Sequence, residues 1–295
     1  YLQEMRAIRT VVISQSGVEE TRAGPIEYAA GGSGPAVLVV HGAGGGYDQG
    51  RLMAVAFLGD DYSWIAPSRF GYLRTPLPAD ASTFAQGEAF AALLDALDIE
   101  RVAVLAMSGG VPPALQFAAN HQDRISALIL LSSASYAPLT DEGADLPVPL
   151  WLYDALFATD FPYWALTKAG WGGLEAVFDV GAAQRALMTA RERSFIDAMI
   201  DGFLPVTERR DGLGNEVAAI DPTVRIPIEA ITAPTLIIHA RDDGITDFAI
   251  AEFTAAGIAH AEFQPLPDGG HLLLGHHAEV AARISAFLRA HAPRD

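Results

Sequence analysis

The sequence predicts an α/β protein built on a mostly parallel sheet with helices on both faces. Three observations carry this. Short apolar runs recur without the polar alternation of a half-exposed strand, as strands buried on both faces require. Amphipathic helical patterns lie between several of those runs, and strands alternating with helices imply right-handed crossovers between parallel strands. Of 295 residues, 51% are hydrophobic and only 19% charged, enough to bury a large core and too apolar for a disordered chain.

The elements follow in order. A short helical pattern from Leu2 to Ile8 precedes two strand-like stretches that end in Pro25-Ile26-Glu27-Tyr28-Ala29, before the turn Gly31-Gly32-Ser33-Gly34-Pro35. That reads as an antiparallel edge hairpin. Apolar runs at Val37 to Val40, Ser63 to Pro67, Val102 to Met107, Leu128 to Leu131 and Thr235 to His239 supply the inner strands. Phe84 to Leu97 and Pro112 to Asn120 have helical periodicity. The tail adds a helix near Phe248 to Ala256, a strand near Ala261 to Leu266 and a last helix from Ala278 to Ala290. Between Tyr136 and Ile228 the alternation stops. That stretch has no strand-like run but carries Trp151, Tyr153, Phe157, Phe161, Tyr163, Trp164, Trp171, Phe178, Phe195 and Phe203. It is expected to be a helical cap (136–228) inserted after the sixth strand into a core of 1–135 and 229–295, with most of its aromatics packing cap to core.

Composition excludes several classes of function. With 36 acidic and 19 basic residues the formal charge is -17, which opposes association with nucleic acid. There is no cysteine, so disulfides, a thiolate nucleophile and Cys-ligated zinc are ruled out. No apolar run reaches the roughly 18 to 20 residues that span a bilayer. The chain starts at Tyr1 without an initiator methionine, and Leu2, Met5 and Ile8 are apolar, which raises the expectation of an export or anchoring segment upstream.

Chemistry concentrates at four predicted strand ends. Ala106-Met107-Ser108-Gly109-Gly110 follows one buried run and precedes a helix, with small residues around a serine as a sharp strand-to-helix turn demands. His41-Gly42-Ala43-Gly44-Gly45-Gly46 follows another, suited to turning backbone N–H groups toward a developing oxyanion. A phosphate cradle is disfavoured because no Gly-Lys-Ser/Thr ending follows. Ala240-Arg241-Asp242-Asp243 lies just past the Thr235 run, and Asp268-Gly269-Gly270-His271 ends the loop after the next strand. Singly, each is an ordinary turn. Together they fall in the chain order Ser, Asp, His.

With these motifs in place, almost the whole chain from Val12 onward resembles the α/β-hydrolase fold superfamily, in particular its capped serine esterases and carbon-carbon hydrolases. The resemblance implies an eight-stranded, mostly parallel sheet flanked by helices. It also implies Ser108 as nucleophile, His271 as base and Asp243 as the acid, with Asp242 in reserve because Ala240 replaces the family's usual glycine. Backbone N–H groups of Ala43 and Gly109 would form the oxyanion hole, on a loop that includes His41, Gly42 and Gly44. Ala106 likewise stands where the family has glycine. Ser68-Arg69-Phe70-Gly71-Tyr72 resembles the family's loop after the fourth strand, where Arg69 is expected to be structural. His276 and His277 are alternative bases, disfavoured by the Gly-Gly-His context of His271.

The function expected is acyl transfer to water on an apolar, small to medium carboxylic ester. Carbon-carbon bond hydrolysis of a meta-cleavage product is the alternative, with Arg185, Arg191 and Arg193 as candidate carboxylate partners. A homologue that binds ligands without turnover is the remote one. No metal cluster motif such as His-Glu-x-x-His occurs, so no metal and no cofactor are expected. Partners reduce to the small-molecule substrate, and either a monomer or a homodimer is compatible.

Overall fold

A computed structural model describes residues 1–139, 157–170, 173–218 and 223–291. Its centre is a sheet of eight strands: β1 (Gly17–Thr21), β2 (Gly24–Gly32), β3 (Ala36–Val40), β4 (Ser63–Pro67), β5 (Val102–Met107), β6 (Ile125–Leu131), β7 (Thr235–Ala240) and β8 (Glu262–Leu266). Their spatial order is β1-β2-β4-β3-β5-β6-β7-β8. The first two pairings, β1 with β2 and β2 with β4, are antiparallel and the rest parallel. The edge hairpin and the parallel centre expected from the sequence are therefore both present.

The uniform apolar runs are explained by the two sides they face. Leu38, Val40, Val104, Ala106, Leu128, Leu130 and Ile237 join one core cluster, with α3 (Thr83–Ala96), α4 (Val111–Asn120) and α10 (Phe248–Gly257). Their alternating neighbours Val37, Val39, Ala103, Leu105, Ile129, Leu131, Leu236 and Ile238 join the other, with α2 (Tyr47–Phe57) and α11 (His277–His291). Successive side chains point to opposite faces, and here both faces are dry.

Between β6 and β7 the described residues form α5 (Phe161–Lys168), α6 (Gly173–Val177), α7 (Ala182–Leu187), α8 (Ala190–Asp201) and α9 (Arg210–Ala218), with no strand among them. Trp151, Tyr153 and Trp171 lie outside the described residues. Phe195, Ile196 and Met199 of α8 are packed into the core cluster beside α2.

One element differs from the sequence reading. The N-terminal helix α1 runs Leu2–Ser14, past Ile8 and through Val11-Val12-Ile13, a β-branched run that on propensity favours a strand. Packing overrides propensity. Met5 packs with Leu204, Val206 and Trp164, and Val12 is buried with Tyr47, whose hydroxyl donates to the Val12 carbonyl at 2.5 Å. Arg9 pairs with Asp160 and Glu208, and Trp164 Nε1 donates to Glu4. The helix thus buttresses the segment between β6 and β7.

Candidate functional site

Parallel strands deliver their following loops to one edge of the sheet, and the four motifs stand there, after β3, β5, β7 and β8. Ser108 has φ of 53°, a left-handed conformation that costs a non-glycine residue of order 1 to 3 kcal/mol. The tightness of the turn shows in its neighbours. A β-carbon on Gly110 would lie 2.5 Å from the His41 carbonyl oxygen and 2.7 Å from that of Val40. One on Gly42 would lie 3.1 Å from Ser108 Cβ, and one on Gly109 3.3 Å from the Ala43 nitrogen. The His41-Gly42-Ala43 loop therefore lies directly against the serine turn.

His41 is fully buried, accepts the Arg69 N–H at Nε2 (2.9 Å) and places Nδ1 2.7 Å from the Gly42 carbonyl. Accepting at Nε2 puts the proton on Nδ1, so the ring is neutral with a single tautomer. Burial, reinforced by the Arg69 charge, pushes its pKa well below the ordinary histidine value. Such a ring orders the loop, with both of its nitrogens already engaged. Gly44, at φ 74°, donates its N–H to the Tyr72 hydroxyl at 3.1 Å, and a β-carbon there would strike the Phe203 ring.

His271 places Nδ1 3.1 and 3.0 Å from the two carboxylate oxygens of Asp243. Its loop needs Gly269 and Gly270, whose φ values are 118° and 60°. Asp243 also accepts the N–H groups of Ile245 and Thr246 and the Thr246 hydroxyl. A second imidazole, His239 of β7, brings Nε2 to 3.2 Å from Asp243 Oδ2, while its buried Nδ1 has no hydrogen-bond partner among the described residues. Burial alone would raise the Asp243 carboxyl; hydrogen bonds from His239 and His271 outweigh it and hold it below the usual carboxylate range.

Asp242 is occupied elsewhere, accepting the Gly270 N–H at 2.9 Å and the Gln184 amide at 3.1 Å. His276 points to Asp268, and His277 is buried against Phe57 and Phe195 with Nε2 on the Leu272 carbonyl. The structure thus brings Asp243 to His271, and Ala43 to Gly109 and Ser108. It shows no hydrogen bond between Ser108 Oγ and His271 among the described residues.

The arginines considered for a substrate carboxylate are not at this site. Arg185 and Arg193 pair with Glu175, and Arg191 donates to the Val55 carbonyl. Arg69 braces the loop, as its place in the motif implies, with Nε on the His41 carbonyl at 3.0 Å. It also pairs with Glu216 of α9, which receives the Tyr72 hydroxyl at 2.5 Å.

Residues without a motif complete the surroundings. Asp179 accepts the backbone N–H of His271 at 3.0 Å and of Gly244 at 2.9 Å, tying the histidine and acid loops to the turn after α6. Glu192 of α8 accepts the N–H groups of Gly275 and His277. Arg209, fully buried, donates to the Gly45 carbonyl and Asp48. Asp179, Glu192 and Arg209 carry no local sequence signal, whereas His239 stands out as a histidine inside an apolar run.

A family model described as alpha/beta hydrolase fold matches residues 35–170. The uncharacterized hydrolase YcgS of Bacillus subtilis (strain 168) is 27% identical over 281 residues, spanning 90% of this chain and 96% of its own. The 2-hydroxymuconate semialdehyde hydrolase of Pseudomonas sp. (strain CF600) is 27% identical over 274 residues, 87% of this chain and 88% of its own. A solved alpha/beta hydrolase fold protein from Nakamurella multipartita superposes with a TM-score of 0.74 at 27% identity, covering 93% of this chain and 99% of that one. Sheet order, strand-end loops and relatives of nearly full length agree, and the chain has the α/β-hydrolase fold.

Proposed function

We propose that the protein is a serine hydrolase of carboxylic esters. The observation that carries this reading is the Asp243–His271 pair. A buried carboxylate held ionised lies within 3.1 Å of Nδ1 through both oxygens, which fixes the tautomer that leaves Nε2 free to accept a proton. Ser108 Oγ attacks the ester carbonyl carbon as its proton passes to His271 Nε2, a contact that closes when substrate is bound. The N–H groups of Ala43 and Gly109 receive the oxyanion, a contribution of about 3 to 4 kcal/mol per donor to the barrier. The alkoxide leaves with the proton from His271. Water, deprotonated by the same ring, then attacks the acyl-enzyme and releases the acid. Asp243 stabilises the imidazolium throughout, and the helices between β6 and β7 act as a cap that excludes water.

Charge supports a neutral ester over a doubly anionic substrate. Arg69 and Arg209, the buried arginines against the glycine-rich loop, are already matched by Glu216 and Asp48. Residues 140–156, 171–172 and 219–222 contain no Lys or Arg. A second reading, hydrolysis of a carbon-carbon bond in a vinylogous diketone, is favoured by the similarity to the semialdehyde hydrolase. The test is hydrolysis of p-nitrophenyl esters from acetate to dodecanoate, beside consumption of 2-hydroxymuconate semialdehyde, by the wild type and Ser108→Ala. Ester turnover lost by several orders of magnitude in Ser108→Ala is expected. Turnover of the semialdehyde alone would transfer the assignment to the second reading, and ester turnover that survives Ser108→Ala would overturn both.

A further inference from the structure

Glu216 reaches the serine turn from α9, and nothing in the Ser-His-Asp chemistry requires it. Its Oε1 is fully engaged, by the Tyr72 hydroxyl at 2.5 Å and by Arg69 Nη2. Among the described residues its Oε2 has one long contact, Arg69 Nη1 at 3.3 Å. That second oxygen lies over the nucleophile turn: a β-carbon built on Gly109 would be 2.8 Å from Oε2 and 3.3 Å from the Ala43 nitrogen. The carboxylate cannot easily turn away. Tyr72 is anchored by the Gly44 N–H, and Arg69 by the His41 carbonyl and ring. The Arg69–Glu216 pair thus buries its positive end behind the glycine-rich loop and presents its negative end beside Gly109, the residue after Ser108. With the Glu216 side chain only 18% exposed, water screens that end poorly.

A carboxylate oxygen with spare lone pairs in a recess calls for a hydrogen-bond donor and opposes a second anion. We propose that Glu216 is the specificity-determining residue of this site, selecting esters whose acyl part carries a hydroxyl or ammonium donor within two or three bonds of the reacting carbonyl, and rejecting acyl groups that end in a carboxylate. This rests on the serine-hydrolase reading above. The same contact explains a second requirement for glycine at 109, since any side chain there would meet Glu216.

The experiment compares kcat/KM for methyl 3-hydroxybutyrate, methyl butyrate and monomethyl succinate at pH 7.5, followed by titration of released acid, for the wild type and Glu216→Gln. In parallel, the rate of Ser108 labelling is measured with a neutral alkyl fluorophosphonate and its ω-carboxyalkyl counterpart. The wild type is expected to favour the hydroxy ester and to disfavour the succinate against the butyrate by about tenfold or more, the effect of the negative end of a poorly screened ion pair a few ångströms away. In Glu216→Gln the succinate-to-butyrate ratio should rise by about tenfold or more, and the ratio of the two labelling rates should rise with it. A wild type that treats succinate and butyrate alike overturns the proposal without any variant, as does a ratio unchanged in Glu216→Gln. Labelling without ester turnover removes the ester reading alone, because the two phosphonates still report the charge selectivity. No labelling at all removes both.

Discussion

Replacing Arg209 tests whether the segment between β6 and β7 is pinned to the glycine-rich loop by one buried cation. Its guanidinium is fully buried and donates to the Gly45 carbonyl at 2.6 Å, to the Phe203 carbonyl at 3.1 Å and to both oxygens of Asp48, at 3.2 and 2.5 Å. Arg209→Met keeps most of the packing but strands two carbonyls and leaves Asp48 without its cation. Breaking one side of a buried pair costs about 3 to 5 kcal/mol. Asp48 retains 22% exposure and recovers some hydration, which places the expected loss at the lower end, about 3 kcal/mol. For a chain of this size that is a fall in Tm of roughly 6 to 10 °C. Adding Asp48→Leu removes the orphaned charge, so the double variant should be more stable than Arg209→Met by at least about 1 kcal/mol. Urea and thermal unfolding of the four proteins in the cycle provide the measurement. An Arg209→Met protein within 1 kcal/mol of wild type, or a second substitution that merely adds its own cost, would refute the reasoning.

Three further outcomes are expected. Asp243→Asn should lower kcat by about 10³- to 10⁴-fold with KM little changed, because an amide can donate to Nδ1 and hold the wrong tautomer; steady-state kinetics on a p-nitrophenyl ester will show it. Asp179→Ala removes the acceptor from the partly buried His271 N–H, for about 1 to 2 kcal/mol of stability and a fall in kcat. Asp179→Asn, which retains an oxygen and tolerates the φ of 62°, should restore most of both, and an Ala variant with wild-type kinetics contradicts the assignment. Stability should fall as pH drops through about 6.5, since burial lowers the His41 and His277 pKa values in the fold while the unfolded chain takes up protons near that pH. Asp243, whose folded pKa is depressed, adds stability that is complete above about 4 and lost below it, in the same direction. A urea midpoint constant from pH 7.5 to 5.5 would count against the histidine part.

The sheet is legible in the sequence, because a strand buried on both faces must be apolar at every position, and Val37 to Val40 or Val102 to Ala106 admit no other reading once helices intervene. It also exposed Ser108, Asp243 and His271, because tight turns leave local marks: Gly110 under the His41 carbonyl, Gly269 and Gly270 with positive φ before His271. Helix α1 was legible only in part, since the β-branched Val11-Val12-Ile13 obeys its packing against Tyr47 rather than its propensity. The long-range polar contacts emerge only once the chain is folded. Nothing near Glu216 in the chain points to Arg69 and Tyr72, nor near Arg209 to Asp48, nor near Asp179 to the His271 N–H. The sequence put Asp243 ahead of Asp242, and the fold turns Asp243 toward His271 and Asp242 toward Gln184 and the Gly270 N–H. A turn is written in neighbouring residues because its sterics are local, whereas a buried charge is matched by whichever partner the fold carries to it, here from 92 to 161 residues away.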